Sequence, residues 1–189
     1  MNDRCHWAEG HEIYEKYHDE EWGVPVHDDQ MLFEFLMLEA FQAGLSWLTI
    51  LNKRENFRKA FAQFDYEKVA QFDEKDFERL MNDAGIVRNR LKIAAAINDA
   101  NKFIEIKEEF GTFDKYIWGF VGDEPIQNEF KEMSDIPPKT ELSDKISKDL
   151  KARGFKFVGS TIIYAHMQAT GMVNDHVVTC PRYDIIERH

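Results

Sequence analysis

A chain of 189 residues with 43% hydrophobic and 31% charged residues can bury a real core as one domain and stay soluble. Its formal net charge of −11 argues against a general polyanion binder, because affinity for DNA depends mainly on neutralising phosphates, yet it leaves room for one local basic patch. No apolar run approaches the roughly 20 residues of a membrane span, and the first residues lack the charged-then-apolar layout of a secretory signal. The expectation is a cytoplasmic protein with no membrane partner.

Residues 1–27 show no clean periodicity but hold four of the seven histidines, and Trp7, Tyr14, Tyr17 and Trp22 fall within 16 residues. That density is too high for a surface tail. Asp28 or Asp29 can cap a helix from about Gln30 to Ala43, which Gly44 ends. Ser46 can cap a second helix running to about Gln63, with Leu48, Leu51, Phe57 and Phe61 inward and Lys53, Arg54, Arg58 and Lys59 outward. Asp65 opens a short turn of helix, and Asp73 caps Glu74 to Asn82, ended by Gly85. Arg88 to Phe110 is the longest helix signal, with Leu91, Ile93, Ala94, Ile97, Ala100, Ile104 and Ile106 at helical spacing. A short aromatic helix through Tyr116, Trp118 and Phe120 follows. Residues 122–141, with three of the five prolines, read as a loop. Ser143 then caps Asp144 to Arg153, a tight turn spans Gly154 to Gly159, and a last helix runs from Ser160 to Thr170. With no strand alternation and no repeat, the fold class is all-α.

Glu39 and Gln42 interrupt the apolar run from Met31 to Leu51, and a helix places them three apart on one face. A carboxylate among apolar groups is costly unless it has partners or a task. The break at Gly44 would bring Trp47 close to Glu39. Tyr14, Tyr17 and Trp22 could close the same pocket if the N-terminal segment packs over the break. Flat aromatic walls and an acid suit an extrahelical base, above all a cationic one. The plainer reading is a core-edge glutamate bonded to a neighbouring backbone. There is no Gly-x-Ser-x-Gly, no Walker motif and no Rossmann glycine pattern.

The two cysteines sit at opposite ends, Cys5 separated from His18 by twelve residues, and Cys180 from His176 by three. Zinc takes four sulfur or nitrogen donors in a tetrahedron, and His-x3-Cys is an ordinary half-site. A zinc ion joining the pairs would staple residues 1–27 to 172–189 and contribute on the order of 10 kcal/mol to folding. His6 or His11 could stand in for His18, and two unrelated buried cysteines are the plainer alternative.

Lys145, Lys148, Lys151, Arg153 and Lys156 lie within 12 residues holding one acid, Asp149. They flank the Gly-x4-Gly turn, whose N–H groups, with the N-terminus of the next helix, make a natural phosphate site. Gly154, Lys156, Gly159 and Ser160 are its candidate contacts. A solvated helix face is the competing reading. Arg88, Arg90 and Lys92 form a second, weaker cluster.

Several stretches together closely resemble the 3-methyladenine DNA glycosylase I family. They are Tyr17-His18-Asp19-Glu20-Glu21-Trp22-Gly23-Val24-Pro25, Glu39-Ala40-Phe41-Gln42-Ala43-Gly44-Leu45-Ser46-Trp47, Lys53-Arg54-Glu55-Asn56-Phe57, Asp83-Ala84-Gly85-Ile86-Val87-Arg88, Arg153-Gly154-Phe155-Lys156-Phe157-Val158-Gly159 and Val173-Asn174-Asp175-His176. The resemblance runs to about Cys180, leaving Pro181 to His189 unconstrained. It implies the helix-hairpin-helix glycosylase fold as a single domain. It implies a structural zinc on Cys5, His18, His176 and Cys180, and Glu39 on the adenine edge with Trp47, Tyr14, Tyr17 and Trp22 enclosing the base. Phe41 departs from the pattern, where a smaller or polar residue is expected, and would reshape the pocket wall. The implied activity is hydrolytic excision of 3-methyladenine from alkylated double-stranded DNA by a monomer, without strand cleavage. A zinc-stapled DNA-binding module without chemistry, and a glycosylase/lyase using Lys156, are the competing readings.

Overall fold

In the computed structural model, which describes residues 4–187, ten helices carry the fold. They are α1 Glu12–Glu20, α2 Asp29–Gln42, α3 Trp47–Ala60, α4 Tyr66–Val69, α5 Glu74–Met81, α6 Arg90–Phe110, α7 Phe113–Trp118, α8 Glu141–Ala152, α9 Ser160–Ala169 and α10 Pro181–Glu187. The central one is α2. Every residue from Leu32 to Phe41 is buried, and α3, α6, α7 and α9 pack around it. A helix apolar on all sides has to be the interior element. That is why the two carboxylates it carries inside, Glu34 and Glu39, need explaining.

Caps set most boundaries. Asp28 accepts from the Met31 N–H at the start of α2, and Ser46 from Thr49 N–H at the start of α3. Gly44 turns the chain between them with φ +80°, a conformation that strains any residue with a Cβ. The exposed C-terminal carbonyls of α2 are met by Lys92 from α6, whose Nζ donates to Phe41 O at 2.8 Å and Ala43 O at 2.6 Å. A cation at a helix C-terminus is favourable. Lys92 is therefore buried and does not belong to an exposed cluster with Arg88 and Arg90.

Other expectations are corrected by long-range contacts. The second helix stops at Ala60, because Ala62, Gln63 and Phe64 take positive φ and bring Phe64 parallel to Phe61, ring centroids 5.9 Å apart. Arg54 is buried rather than outward, since its guanidinium meets Glu34 at 2.6 Å and Glu21 at 2.7 Å. Thr140, not Ser143, caps α8. Ser143 sits three residues on, and its hydroxyl oxygen accepts in return from the Thr140 N–H. Residues 12–20 form a helix despite their irregular sequence. The loop holds a two-residue strand, β1 Ile126–Gln127, paired in parallel with β2 Val173–Asn174, too short for alternation to betray it. Pro181–Glu187 form α10, with Tyr183 and Ile186 buried. No helix among the described residues is long and apolar enough to cross a membrane.

Candidate active site and metal centre

The last turn of α2, the start of α3 and the N-terminal segment converge on a cavity of about 240 Å³. Trp7, Tyr17, Trp22, Glu39, Gln42 and Trp47 line it, with Ala165 and Gln168 from α9 and Met133 and Ile136 from the loop. Sites for drug-sized ligands run to roughly 300–1,000 Å³, so this one suits a single flat ring system. Tyr17 and Trp47 stand 5.6 Å apart, ring to ring, and Trp7 meets Trp22 edge-on at 5.1 Å. Tyr14 is the exception among the expected wall residues. It packs edge-on behind Trp7 at 5.6 Å and does not line the cavity, whereas Trp7, two residues after Cys5, does. Phe41 turns the other way, into the core against Phe57 and Phe61 at 4.8 and 5.7 Å. It leaves the pocket wall unchanged.

Polar groups at this cavity lack partners. The Tyr17 hydroxyl and the Trp47 Nε1–H are buried without a hydrogen bond, and the Glu39 carboxyl makes none within the described residues. Glu39 is 5% exposed, and burial alone pushes its pKa up to about 8. Burial, and then the neighbouring Glu39, push the Tyr17 phenol well above its ordinary value. The contrast with Glu34, one turn and a half earlier on the same helix, is direct: its carboxylate is held by Arg54 and by Arg58 at 2.8 Å. Orphaned buried polar atoms cost about 1–3 kcal/mol each. Two of them beside a carboxyl with no hydrogen bond, at one aromatic cavity, indicate a place kept for a ligand.

Behind Trp22 lie the four candidate metal ligands. Cys5, His18, His176 and Cys180 are all buried, and one donor atom of each lies within 4.8 Å of the others. Cys180 Sγ is 3.6 Å from both His18 Nε2 and His176 Nδ1, and Cys5 Sγ is 3.8 Å from His176 Nδ1. Tetrahedral zinc with ordinary bond lengths separates sulfur and nitrogen ligands by about 3.5 Å, so the spacing fits. The remote ring nitrogens are also engaged. His18 Nδ1–H donates to Asp19 at 2.8 Å, itself gripped by Arg4 at 2.7 Å, and His176 Nε2–H donates to Trp22 O at 3.0 Å. Such partners fix the tautomer that leaves the facing nitrogen free for a metal. His6 is exposed on Glu9, and His11 packs against Tyr14. Gly23, with φ +81°, passes so close that a Cβ there would meet His176 at 3.0 Å.

The turn between α8 and α9 is anchored by buried Phe155 and Val158 and presents Lys156 to solvent. Gly154 has φ +96°. The Lys156 N–H does not face outward, since it donates to Asp99 of α6 at 2.8 Å, and burial pushes that carboxyl up to about 7. Gly159 gives α9 no side-chain cap, which leaves its first-turn N–H groups for an outside acceptor. Ser160 meets Ser143 at 2.8 Å and borders a groove with Lys139, Lys148, Lys151 and Thr161. The basic cluster therefore divides. Arg153 pairs with Glu109 at 2.7 Å and Asp149 at 2.8 Å, and Lys145 lies 5.7 Å from the Phe120 ring centre. Lys148, Lys151 and Lys156 make no ion pair among the described residues.

The fold is that of the all-α glycosylases: a crystal structure of 3-methyladenine DNA glycosylase I matches it with a TM-score of 0.92 at 46% identity, over 95% of this chain and 98% of that one. A second structure, of the Staphylococcus aureus 3-methyladenine DNA glycosylase I and concerned with 3-methyladenine recognition, matches with a TM-score of 0.92 at 38% identity, over 95% and 96%. DNA-3-methyladenine glycosylase 1 of Escherichia coli (strain K12) is 50% identical over 181 residues, 96% of this chain and 97% of that protein. Residues 7–183 match the methyladenine glycosylase family, and the chain belongs to it.

Proposed function

We infer that this protein is a DNA-repair glycosylase that flips 3-methyladenine out of alkylated double-stranded DNA and hydrolyses its bond to deoxyribose, leaving the strand intact. One observation carries the assignment to this cavity: Glu39, Tyr17 and Trp47 hold unpartnered polar groups between aromatic walls. A DNA-binding module without chemistry has no use for them.

Methylation at N3 places positive charge on the adenine ring, so the base is already a good leaving group. The C1′–N9 bond breaks with its electron pair passing to the base, which departs as neutral 3-methyladenine. Water adds to C1′ and loses a proton, leaving an abasic sugar. The protein therefore needs to extract and hold the cationic base more than to activate it. Tyr17, Trp22 and Trp47 supply π faces for a cation. The high pKa of Glu39 keeps it largely neutral in the empty protein near pH 7. A cationic purine alongside favours its ionised form and pairs with it. Gln42 borders the same cavity, and no lysine among the described residues lines it to serve as an amine nucleophile.

Zinc on Cys5, His18, His176 and Cys180 would be structural, because all four positions are taken by protein. Bound there, it supplies a cross-link between the two ends of the chain and none of the hydrolytic chemistry. Gly159 and Ser160 would meet the DNA backbone through the first-turn N–H groups of α9 and the serine hydroxyl, and Lys156 through its side chain, with Gly154 shaping the turn and Lys148 and Lys151 beside them. The test is incubation with methylated DNA and chromatography of the released bases. Free 3-methyladenine without strand scission is the expected result. A protein–DNA adduct trapped by borohydride would point instead to an amine nucleophile, with Lys156 the first suspect.

A further inference from the structure

Gln168 occupies the last turn of α9 and borders the same cavity as Glu39. Its amide nitrogen donates to Asp175 Oδ2 at 2.8 Å. Asp175 is itself buried and immobilised, accepting from the Tyr164 hydroxyl at 2.5 Å and from Asn128 Nδ2 at 2.7 Å. A carboxylate only accepts hydrogen bonds, so the Gln168 amide cannot turn over without losing this contact. Its orientation is thereby fixed. The Gln168 Oε1 accepts no hydrogen bond within the described residues.

We propose that Gln168, locked by Asp175, is a specificity-determining residue that presents a fixed acceptor to the six-position of the extracted purine. The inference rests on the glycosylase reading and deepens it. Adenine carries an amine at that position, a double donor, and guanine a carbonyl oxygen, an acceptor only. Glu39 contributes to this distinction, and a second, fixed acceptor sharpens it. Ionised beside the bound cationic base, Glu39 accepts only, and so favours the adenine edge. Gln168 has only an acceptor to offer. It pairs with the second amine hydrogen of 3-methyladenine and sets oxygen against oxygen with 3-methylguanine. Discrimination between the two bases is then shared by Glu39 and the Gln168–Asp175 pair, while the aromatic walls provide affinity for either.

The test compares release of 3-methyladenine and 3-methylguanine from the same methylated DNA by the wild type, Gln168→Leu and Gln168→Met. Loss of one discriminating hydrogen bond is expected to reduce the ratio of the two rates about tenfold. 3-Methyladenine release falls, and 3-methylguanine release holds or rises. Two variants of different shape keep the test open if one packs poorly. A folded variant in which both rates fall equally, with the ratio unchanged, would assign Gln168 a purely structural role and overturn the proposal. A wild type that releases neither base would overturn the glycosylase reading itself.

Discussion

The cysteine–histidine cluster and the Glu39 cavity lie back to back across Trp22, whose indole lines one and whose carbonyl oxygen accepts from a ligand of the other. Their hydrogen bonding is opposite. At the cluster both remote ring nitrogens are taken, by Asp19 and by Trp22, and what remains free points at a common centre. At the cavity a hydroxyl, an indole N–H and the carboxyl of a buried glutamate have no hydrogen-bond partner among the described residues. The first arrangement is closed apart from one small ion, the second open to a ligand that brings its own donors and charge. Buried polar groups that satisfy one another mark structure, and buried groups left waiting mark binding.

The largest effect should come from breaking the closed side. Cys180→Ser, or chelation of the wild type, should abolish zinc content and lower the unfolding temperature by about 10 °C or more, since structural zinc sites contribute on the order of 10 kcal/mol. Elemental analysis and thermal unfolding measure the two together. Equal unfolding temperatures with and without chelator would show that the cluster is not a staple.

On the open side Glu39→Gln should cost about 100-fold or more in base release while leaving the fold sound. Its stability should also diverge from wild type with pH. The folded pKa of Glu39, about 8, lies above its ordinary 4.5, so the carboxyl contributes its full stability below pH 4.5 and loses it as pH rises through 8. Glutamine carries no such penalty. Urea unfolding at pH 5, 6.5 and 8 should show the variant gaining on the wild type step by step. A constant difference across that range would mean that Glu39 ionises freely in the fold. Tyr17→Phe sharpens the same point at smaller scale. Removing a hydroxyl with no partner should raise stability by about 1 kcal/mol while weakening 3-methyladenine binding.

The two sides were not equally legible in the sequence. Glu39 and Trp47 were readable because an acid inside an apolar run and a glycine break just after it are local signals. His18 could not be separated from His6 and His11 by spacing. Only the packing of α1 onto the C-terminal segment does that, and the family resemblance stands in for it. Trp7, Met133 with Ile136, and Gln168 reach the cavity from three separate segments, so no window of sequence holds their relationship. Arg54 and Lys92 read as surface charges because their partners, Glu34 with Glu21 and the carbonyl end of α2, lie 20 to 51 residues away.

The basic patch gives the finest contrast, because one run of sequence splits between the two kinds of role. Lys148 and Lys151 follow each other at helical spacing on the face of α8 that borders the groove with Ser160 and Thr161. Arg153, a few residues on, is held between Asp149 and Glu109 and lies 5.1 Å from the ring centres of Phe110 and Tyr116. Lys148→Ala and Lys151→Ala should each flatten the dependence of DNA binding on salt, lowering the slope of log affinity against log salt by about 0.9 and leaving the unfolding temperature in place. Arg153→Ala should do the reverse, since its charge is already neutralised and its stem packs on aromatic rings: a small loss of stability with the salt slope kept. Fluorescence anisotropy on a short duplex between 50 and 200 mM salt separates the three. Equal slopes for all three variants would mean that the patch acts as diffuse charge, and that the turn after α8, rather than the lysines beside it, grips the DNA.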